Sequence, residues 1–383
     1  ISGLSVALNA SLNGTKTLVL ERKKEIGATV RCGEFFPSLK EARNLFPDAK
    51  TLRNFYPMLN NDVIANRTKK IRVFSPQNRK YEFPFDGLVL KREKFERKLA
   101  DEAMKAGAHI QTETSVEAVV KTGHDVKILG KNGRGETVTR AKLVIGADGF
   151  PSVTLQRAHL RNYVKGTNLA LCVQSKVHDA NVDEETVEMY LGTEYAPGGY
   201  AWVIPKAHSE ANVGVGARLS WLKRGKTIID YFKAFTRNHP VVSECLRDAR
   251  FSQLVGKTLP VGGMVPRLYA EGTLLVGDAA GLVVPTNGGG ISTALVSGYI
   301  AGQAAKCYVK DGTQLSTYEN ALRKEIGKPV GRGYFYRRAG DLFMFHDRAF
   351  EMLLRTIGTS NVAKAVKAEP IFPFSIERNQ SAN

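Results

Sequence analysis

The 383-residue chain predicts an α/β protein: a discontinuous domain built on a parallel sheet, interrupted by an inserted antiparallel β-sheet domain and followed by a helical C-terminal tail. Three observations carry this expectation. Short continuous apolar runs, at Thr17 to Leu20, Leu143 to Ile145 and "TLLVGD" from Thr273, read as strands buried on both faces. Helical patterns accompany them at Lys91 to Ala106 and Ile291 to Val309. Between about Asn168 and Pro266 the pattern turns mainly β, in "LALCVQSKV", "TVEMYLG", "YAWVIP", "EANVGVGARL" and "FSQLVGKTLPVGG".

Taken in order, the chain opens "ISGLSVALNASLNGTKTLVLE", which has the second half of a dinucleotide-binding fingerprint. Gly3 stands as its third glycine, Ser5 and Ala7 keep the helix thin, Asn13-Gly14 cap it, and Glu21 ends the next strand where a ribose hydroxyl needs a carboxylate. The strand and two glycines that complete the fingerprint are expected upstream of Ile1, and the chain as written is expected to hold its cofactor weakly. "RKKEIGATVRCGEFFP" reads as a loop without regular structure. Phe95, Leu99 and Ala103 give one helix face at four-residue spacing, and Asn132-Gly133 with Gly135 mark a hairpin turn. A single helix, Thr227 to Asn238, interrupts the β-rich stretch, and helices rich in aromatic and basic residues follow Gly331. The expected organisation is a Rossmann-like domain over 1–45, 85–165 and 266–330, a substrate sheet over 46–84 and 166–265, and a helical region over 331–383.

Composition narrows the function classes. The formal net charge of +18 suits anionic partners, yet lysines and arginines are scattered in twos and threes, with no arginine-rich arm or aromatic RNA-binding signature. Specific nucleic-acid binding is therefore not expected. Cys32, Cys172, Cys245 and Cys307 are too dispersed for a disulfide framework or zinc site, and no metal is expected. No apolar run of eighteen and no secretory leader pattern is seen, so the chain reads as cytoplasmic, with peripheral attachment at the inner membrane face as an extension of that reading. No G-x-S-x-G elbow occurs, and the two Gly-Lys-Thr tripeptides lack the glycine that a phosphate-binding loop needs.

"LVIGADG" (Leu143 to Gly149) and "TLLVGDAAGLVVPTNGGGIS" (Thr273 to Ser292), in this order behind the first strand, resemble the fingerprints of the para-hydroxybenzoate hydroxylase-like FAD flavoproteins. The resemblance implies FAD held by Gly3, Glu21, Arg22, Arg31, Cys32, Gly33, Arg92, Val119, Asp148, Gly149, Asp278, Gly281, Gly289, Gly290 and Ile291. It gives Asp278 the ribityl chain and Arg92 the pyrophosphate, and it aims the N-terminus of the Ile291 helix at the flavin pyrimidine, where a positive dipole end suits the reduced ring.

"RCGEF" (Arg31 to Phe35) and "PGGYAWVIP" (Pro197 to Pro205) look like geranylgeranyl reductases, which saturate isoprenoid chains, including those of archaeal membrane lipids. That family's aromatic pattern is met by Pro197, Tyr200, Trp202 and Pro205, with Ile204 where phenylalanine is usual. By alternation Tyr200, Trp202 and Ile204 share a strand face, an apolar wall with a polar handle on each aromatic. The implied reaction is hydride transfer from reduced FAD to an isolated alkene, with Cys32, Glu34 or a water between them as proton donor. The expected partners are an isoprenoid lipid or diphosphate, an external electron donor (ferredoxin or NADPH) and an anionic membrane surface, toward which Phe335, Tyr336, Phe343 and Phe345 dip. A flavin-dependent halogenase or hydroxylase is the main alternative, since "YAWVIP" also resembles the halogenase W-x-W-x-I-P stretch. A basic lipid- or nucleic-acid-binding protein on a relic flavin fold is the non-enzyme alternative.

Overall fold

The computed structural model describes residues 1–157 and 165–371; the ends of the predicted segments 85–165 and 331–383 lie outside the described residues. Helix α1 (Ser2–Leu12) is followed by strand β1 (Leu18–Leu20). The predicted loop then departs from expectation at its end: Phe35–Pro37 forms β2, an edge strand, where proline costs no ladder bond. Helix α2 (Leu39–Leu45) starts at Ser38, whose hydroxyl accepts the Glu41 N–H, and a 3-10 segment (Lys50–Met58) leads to the long hairpin β3 (Ile64–Phe74) and β4 (Lys80–Leu90). Helix α3 (Arg92–Lys105) buries Phe95, Leu99 and Ala103 on the face their spacing predicts. Burial of each large side chain contributes about 1.5–3 kcal/mol.

Strand β5 (His109–Gln111) pairs in parallel with β1. Strands β6 (Ser115–Thr122), β7 (Asp125–Asn132) and β8 (Gly135–Ala141) form a meander whose second turn is the predicted Asn132 to Gly135 hairpin. After β9 (Val144–Gly146) and the short α4 (Val153–Arg157) come β10 (Leu169–His178), β11 (Thr186–Tyr190), β12 (Tyr200–Ala207) and β13 (Glu210–Arg218). Helix α5 (Ile228–Asn238) opens on a capping box between Thr227 and Asp230, worth about 1 kcal/mol. Helix α6 (Pro240–Cys245), β14 (Arg250–Phe251), β15 (Val255–Pro260), β16 (Tyr269–Ala270) and β17 (Thr273–Leu275) precede three long helices, α7 (Ile291–Asp311), α8 (Ser316–Asp341) and α9 (Asp347–Lys367).

The inserted sheet runs β14-β10-β13-β12-β11-β3-β4-β2, with β15 also on β10. It is antiparallel except where β11 meets β3 in parallel register, the seam between its two chain segments. Its two faces have different neighbours. Ala201, Val203, Val213 and Val215 pack on Tyr231, Phe232 and Phe235 of α5. Trp202, Ile204 and Met189 belong instead to the large core shared with α1, α3 and α7. The face carrying the aromatic pattern is therefore turned toward the other domain.

Helices α1 and α7 touch backbone to backbone. A Cβ on Gly298 would lie 2.5 Å from the Ser2 carbonyl, and one on Gly302 would lie 2.8 Å from the Ala10 nitrogen. The Ser5 hydroxyl donates to the Leu295 carbonyl at 2.8 Å, so the small residues of α1 meet the small residues of α7. This contact sets α7, and the glycines before it, against the beginning of α1.

Candidate functional site

Two strand ends meet at the start of α1. A Cβ on Gly3 would sit 3.1 Å from the Cβ of Ala147, just after β9, and one on Gly277, just after β17, would sit 2.6 Å from the Ser2 hydroxyl. The neighbouring parallel strands β9 and β17 thus deliver Asp148 and Asp278 to the same end of the sheet. At the end of β1, Glu21 accepts the Lys23 N–H on Oε1 at 2.9 Å; among the described residues Oε2 has no partner and is free for a hydroxyl. Asp148 is exposed and accepts from Ser152 (2.8 Å) and from the Thr154 N–H (3.0 Å), so its visible work is to cap α4, with Gly149 in left-handed backbone beside it. Val119 is buried in β6, which contacts α4, and Arg22 and Arg31 are exposed.

Asp278 pairs with Lys257 of β15 and lies beside the glycine run. Its Oδ1 is 3.4 Å from where a Cβ on Gly290 would be, and a Cβ on Gly288 would meet the Tyr200 hydroxyl at 3.3 Å. Gly290 is the N-cap of α7 and offers no side chain, leaving the first N–H groups of that helix for another acceptor. Gly289 is exposed, Ile291 is buried, and Gly281 is left-handed, with the Gly263 carbonyl only 2.4 Å from its absent Cβ. A helix N-terminus without a capping side chain and a close-approach glycine run suit a flat group that gains negative charge, and the carboxylate beside them suits a hydroxyl donor.

The Cys32-Gly33-Glu34 segment lies on the aromatic strand. The Cys32 carbonyl accepts from Gln174 (3.0 Å) and Asn212 (3.4 Å), and a Cβ on Gly33 would meet Ile204 at 2.7 Å and the Trp202 indole nitrogen at 3.7 Å. Glu34 is in left-handed backbone and only 6% exposed. One of its oxygens accepts the Arg92 N–H at 3.0 Å, at the first turn of α3, and the other pairs with Lys206. Both oxygens are thus occupied by donors, an arrangement suited to a carboxylate. The Arg92 guanidinium donates to Glu96 at 2.7 Å. Burial acts to lower its pKa, but Cys32, Glu96 and Asp278 outweigh burial and raise it.

Across the sheet the register is Lys257, Cys172, Gly216 and Tyr200, and one row over Val255, Gln174, Gly214 and Trp202. The Trp202 ring lies over Gly214, within 2.2 Å of a Cβ placed there, and its N–H donates to Asn212 at 2.7 Å. The Tyr200 hydroxyl donates to the Asn287 carbonyl just before the glycine run, and burial, followed by Cys172 and Cys32, raises its pKa. The polar handles of both aromatics are therefore spent inside the protein. Burial lifts the Cys172 thiol to about 12 despite the opposing charge of Lys257. Pro197 and Pro205 are buried at the two ends of the motif, their carbonyls accepting from Arg218 (2.9 Å) and Asn66 (3.2 Å).

Sequence reasoning missed Gln174, Lys206, Asn212 and Lys257. The visible signal was the alternation V-G-V-G from Val213 to Gly216, which puts two glycines on one face opposite Tyr200 and Trp202. The single polar residues carried no spacing signal. Among the described residues no group of His, Cys, Asp and Glu is arranged to hold a metal.

This fold is that of flavin-dependent enzymes. The chain superimposes on the flavin-dependent brominase Bmp2 (triple mutant) with TM-score 0.70 at 15% identity, covering 97% of this chain and 93% of that one. A geranylgeranyl bacteriochlorophyll reductase-like protein of Thermoplasma acidophilum is nearer, with TM-score 0.81 at 28% identity over 95% and 93% of the two chains. Residues 168–250 match the family model described as the geranylgeranyl reductase catalytic domain. The chain is 34% identical to the digeranylgeranylglycerophospholipid reductase of Methanocella arvoryzae, over 87% of this chain and 83% of the relative. It is 32% identical to the enzyme of that name from Thermoplasma acidophilum, over 95% and 93%. The chain belongs to the digeranylgeranylglycerophospholipid reductase family.

Proposed function

We infer that the chain is an FAD-dependent reductase that saturates isolated double bonds in geranylgeranyl chains carried by an anionic lipid. The observation that carries this reading is the docking of Cys32-Gly33-Glu34 onto the face of β12 that bears Tyr200 and Trp202, beside the glycine run of α7. Relatives at 31–34% identity bear the name of this activity, whereas the brominase is at 15%.

When bound and reduced, FAD supplies the hydride that saturates one carbon of the alkene. Glu21 would hold the adenosine ribose, Asp278 the ribityl chain, and the α7 N-terminus the pyrimidine edge. The protein's own contribution is positioning in an apolar setting, because an isolated alkene has no carbonyl through which an oxyanion site could act. The Tyr200 and Trp202 rings, with hydroxyl and N–H turned away to Asn287 and Asn212, present hydrocarbon to hydrocarbon. Cys32 carries the proton for the second carbon on Sγ. Glu34, whose oxygens are taken by Arg92 N–H and Lys206, holds the loop that aims that thiol.

An anionic membrane is the proposed source of substrate. Leu342 (79% exposed) and Phe345 (58%) stand out from the turn between α8 and α9, Phe335 (58%) is exposed on α8 itself, and Phe345 stacks on Trp221 at 3.7 Å. Tyr336 is not part of this patch, since its hydroxyl is bonded to Glu369 and Ile371. Exposed Arg338 and Arg348 flank Leu342 and Phe345 in sequence, and exposed Lys223 and Arg224 follow Trp221, which suits anionic headgroups. No described helix is long and apolar enough to cross a bilayer. Sedimentation with anionic but not neutral vesicles, weakened by salt, is the expected behaviour; salt-independent binding contradicts the electrostatic part.

The enzymatic reading is tested by incubating chemically reduced protein with a geranylgeranyl ether phospholipid without oxygen. Mass spectrometry should find two hydrogens gained per double bond. A product formed only when oxygen is admitted would favour halogenase- or hydroxylase-type chemistry instead.

A further inference from the structure

Lys257 has no place in the FAD or substrate motifs above, yet it stands among them. It is in register with Cys172, which faces Gly216, which faces Tyr200, so the four residues form one row across β15, β10, β13 and β12. Its ammonium leaves this row to pair with Asp278, the carboxylate that follows β17. The pair is largely enclosed, with Lys257 27% and Asp278 16% exposed. Asp278 in turn lies against Gly290, the N-cap of α7.

A structural ion pair needs one charge on each side. Here one carboxylate, Asp278, faces the Lys257 ammonium and the N-terminus of a 21-residue helix that no side chain caps, and also acts on the Arg92 guanidinium, whose own charge is met by Glu96. Tyr200 and Gly288 lie at the same place, and neither carries negative charge. The balance is therefore positive before any cofactor enters. A surplus of this kind suits a group that starts neutral and becomes anionic during the reaction, as the flavin ring does when it takes up two electrons and one proton. Lys257 also acts on the Cys172 thiol, opposing the larger effect of burial, as an ammonium held inside the protein would.

We propose that Lys257 is the fixed cation that compensates the charge of reduced FAD, so that the protein binds the reduced cofactor more tightly than the oxidised one. This rests on the FAD reading above. Lys257 sets the poise of the cofactor from the substrate sheet, while Asp278 and α7 act from the other domain.

The test compares the full-length wild-type protein with Lys257→Met and Lys257→Arg, measuring affinities for oxidised and reduced FAD and the midpoint potential against a reference dye under argon. Lys257→Met should keep its affinity for oxidised FAD within about threefold while its preference for the reduced form falls about tenfold, a potential about 30 mV more negative for this two-electron couple. Lys257→Arg should restore the potential. An unchanged potential in Lys257→Met, or equal loss of both affinities, overturns the proposal. If Lys257→Met does not fold, Lys257→Gln, which removes the charge but keeps a hydrogen-bond donor against Asp278, should show the same negative shift; no shift there overturns the proposal equally. Wild-type protein that takes up no FAD in either state would instead overturn the flavin reading itself.

Discussion

Glu34 and Lys206, 172 residues apart, form a buried ion pair that ties the Cys32 loop to the end of the aromatic strand. The side chains are only 7% and 11% exposed, so each neutralises a charge that water cannot reach. Glu34→Gln leaves the Lys206 ammonium without its counter-charge and is expected to cost about 3–5 kcal/mol of stability. Glu34→Gln combined with Lys206→Met should recover much of that loss. A denaturant double-mutant cycle checks this, and additive losses would mean that the pair is not coupled.

Cys32→Ala removes the proposed proton source without touching the backbone carbonyl that Gln174 and Asn212 hold. Alkene reduction should fall by about a hundredfold or more, with flavin binding and lipid KM nearly unchanged. Rapid-quench turnover measures the loss. Full activity in Cys32→Ala would pass the proton-donating role to a bound water.

Gly214 is the floor under the Trp202 indole. A Cβ there would stand 2.2 Å from the ring, so Gly214→Ala must push the tryptophan off its Asn212 partner. The expected effect is about 1–3 kcal/mol of destabilisation together with a raised KM for the isoprenoid substrate. Melting curves and steady-state kinetics report the two parts separately.

His239 gives a pH signature away from the site. It is 2% exposed, caps α6 by accepting the Val242 N–H, and is ringed by Phe74, Tyr190 and Phe235. Burial holds its pKa down at about 4 from 6.5. The unfolded chain therefore binds the proton first as pH falls. The stabilising contribution is complete above about 6.5 and is lost progressively down to about 4, for a total of up to about 3 kcal/mol. His239→Gln should lack this component, so the stability gap between wild type and variant should narrow with acidification. A gap that stays constant between pH 7 and pH 4 would mean that His239 titrates alike in both states.

Much of the fold was legible because it rests on local periodicity. Phe95, Leu99 and Ala103 announce α3, and Asn132 with Gly135 announces the hairpin between β7 and β8. The edge strand β2 escaped because three residues carry no period of their own and are ordered only by pairing with β4. In the site, Cys32, Glu34, Tyr200 and Trp202 were visible as motifs, but their partners were not. Lys206, Asn212 and Lys257 are single polar residues whose meaning comes from cross-sheet register and from a loop far away in sequence. The sequence showed a polar handle on each of Tyr200 and Trp202 without its partner, and the folded chain gives these handles to Asn287 and Asn212.

The most direct test of the central claim is a single turnover in the absence of oxygen: protein carrying reduced FAD is mixed with a geranylgeranyl phospholipid and the return of the oxidised flavin spectrum is followed. Reoxidation driven by the lipid, matched mole for mole by saturated double bonds and slowed by Cys32→Ala, is the predicted result. A flavin that stays reduced until oxygen is admitted would contradict it.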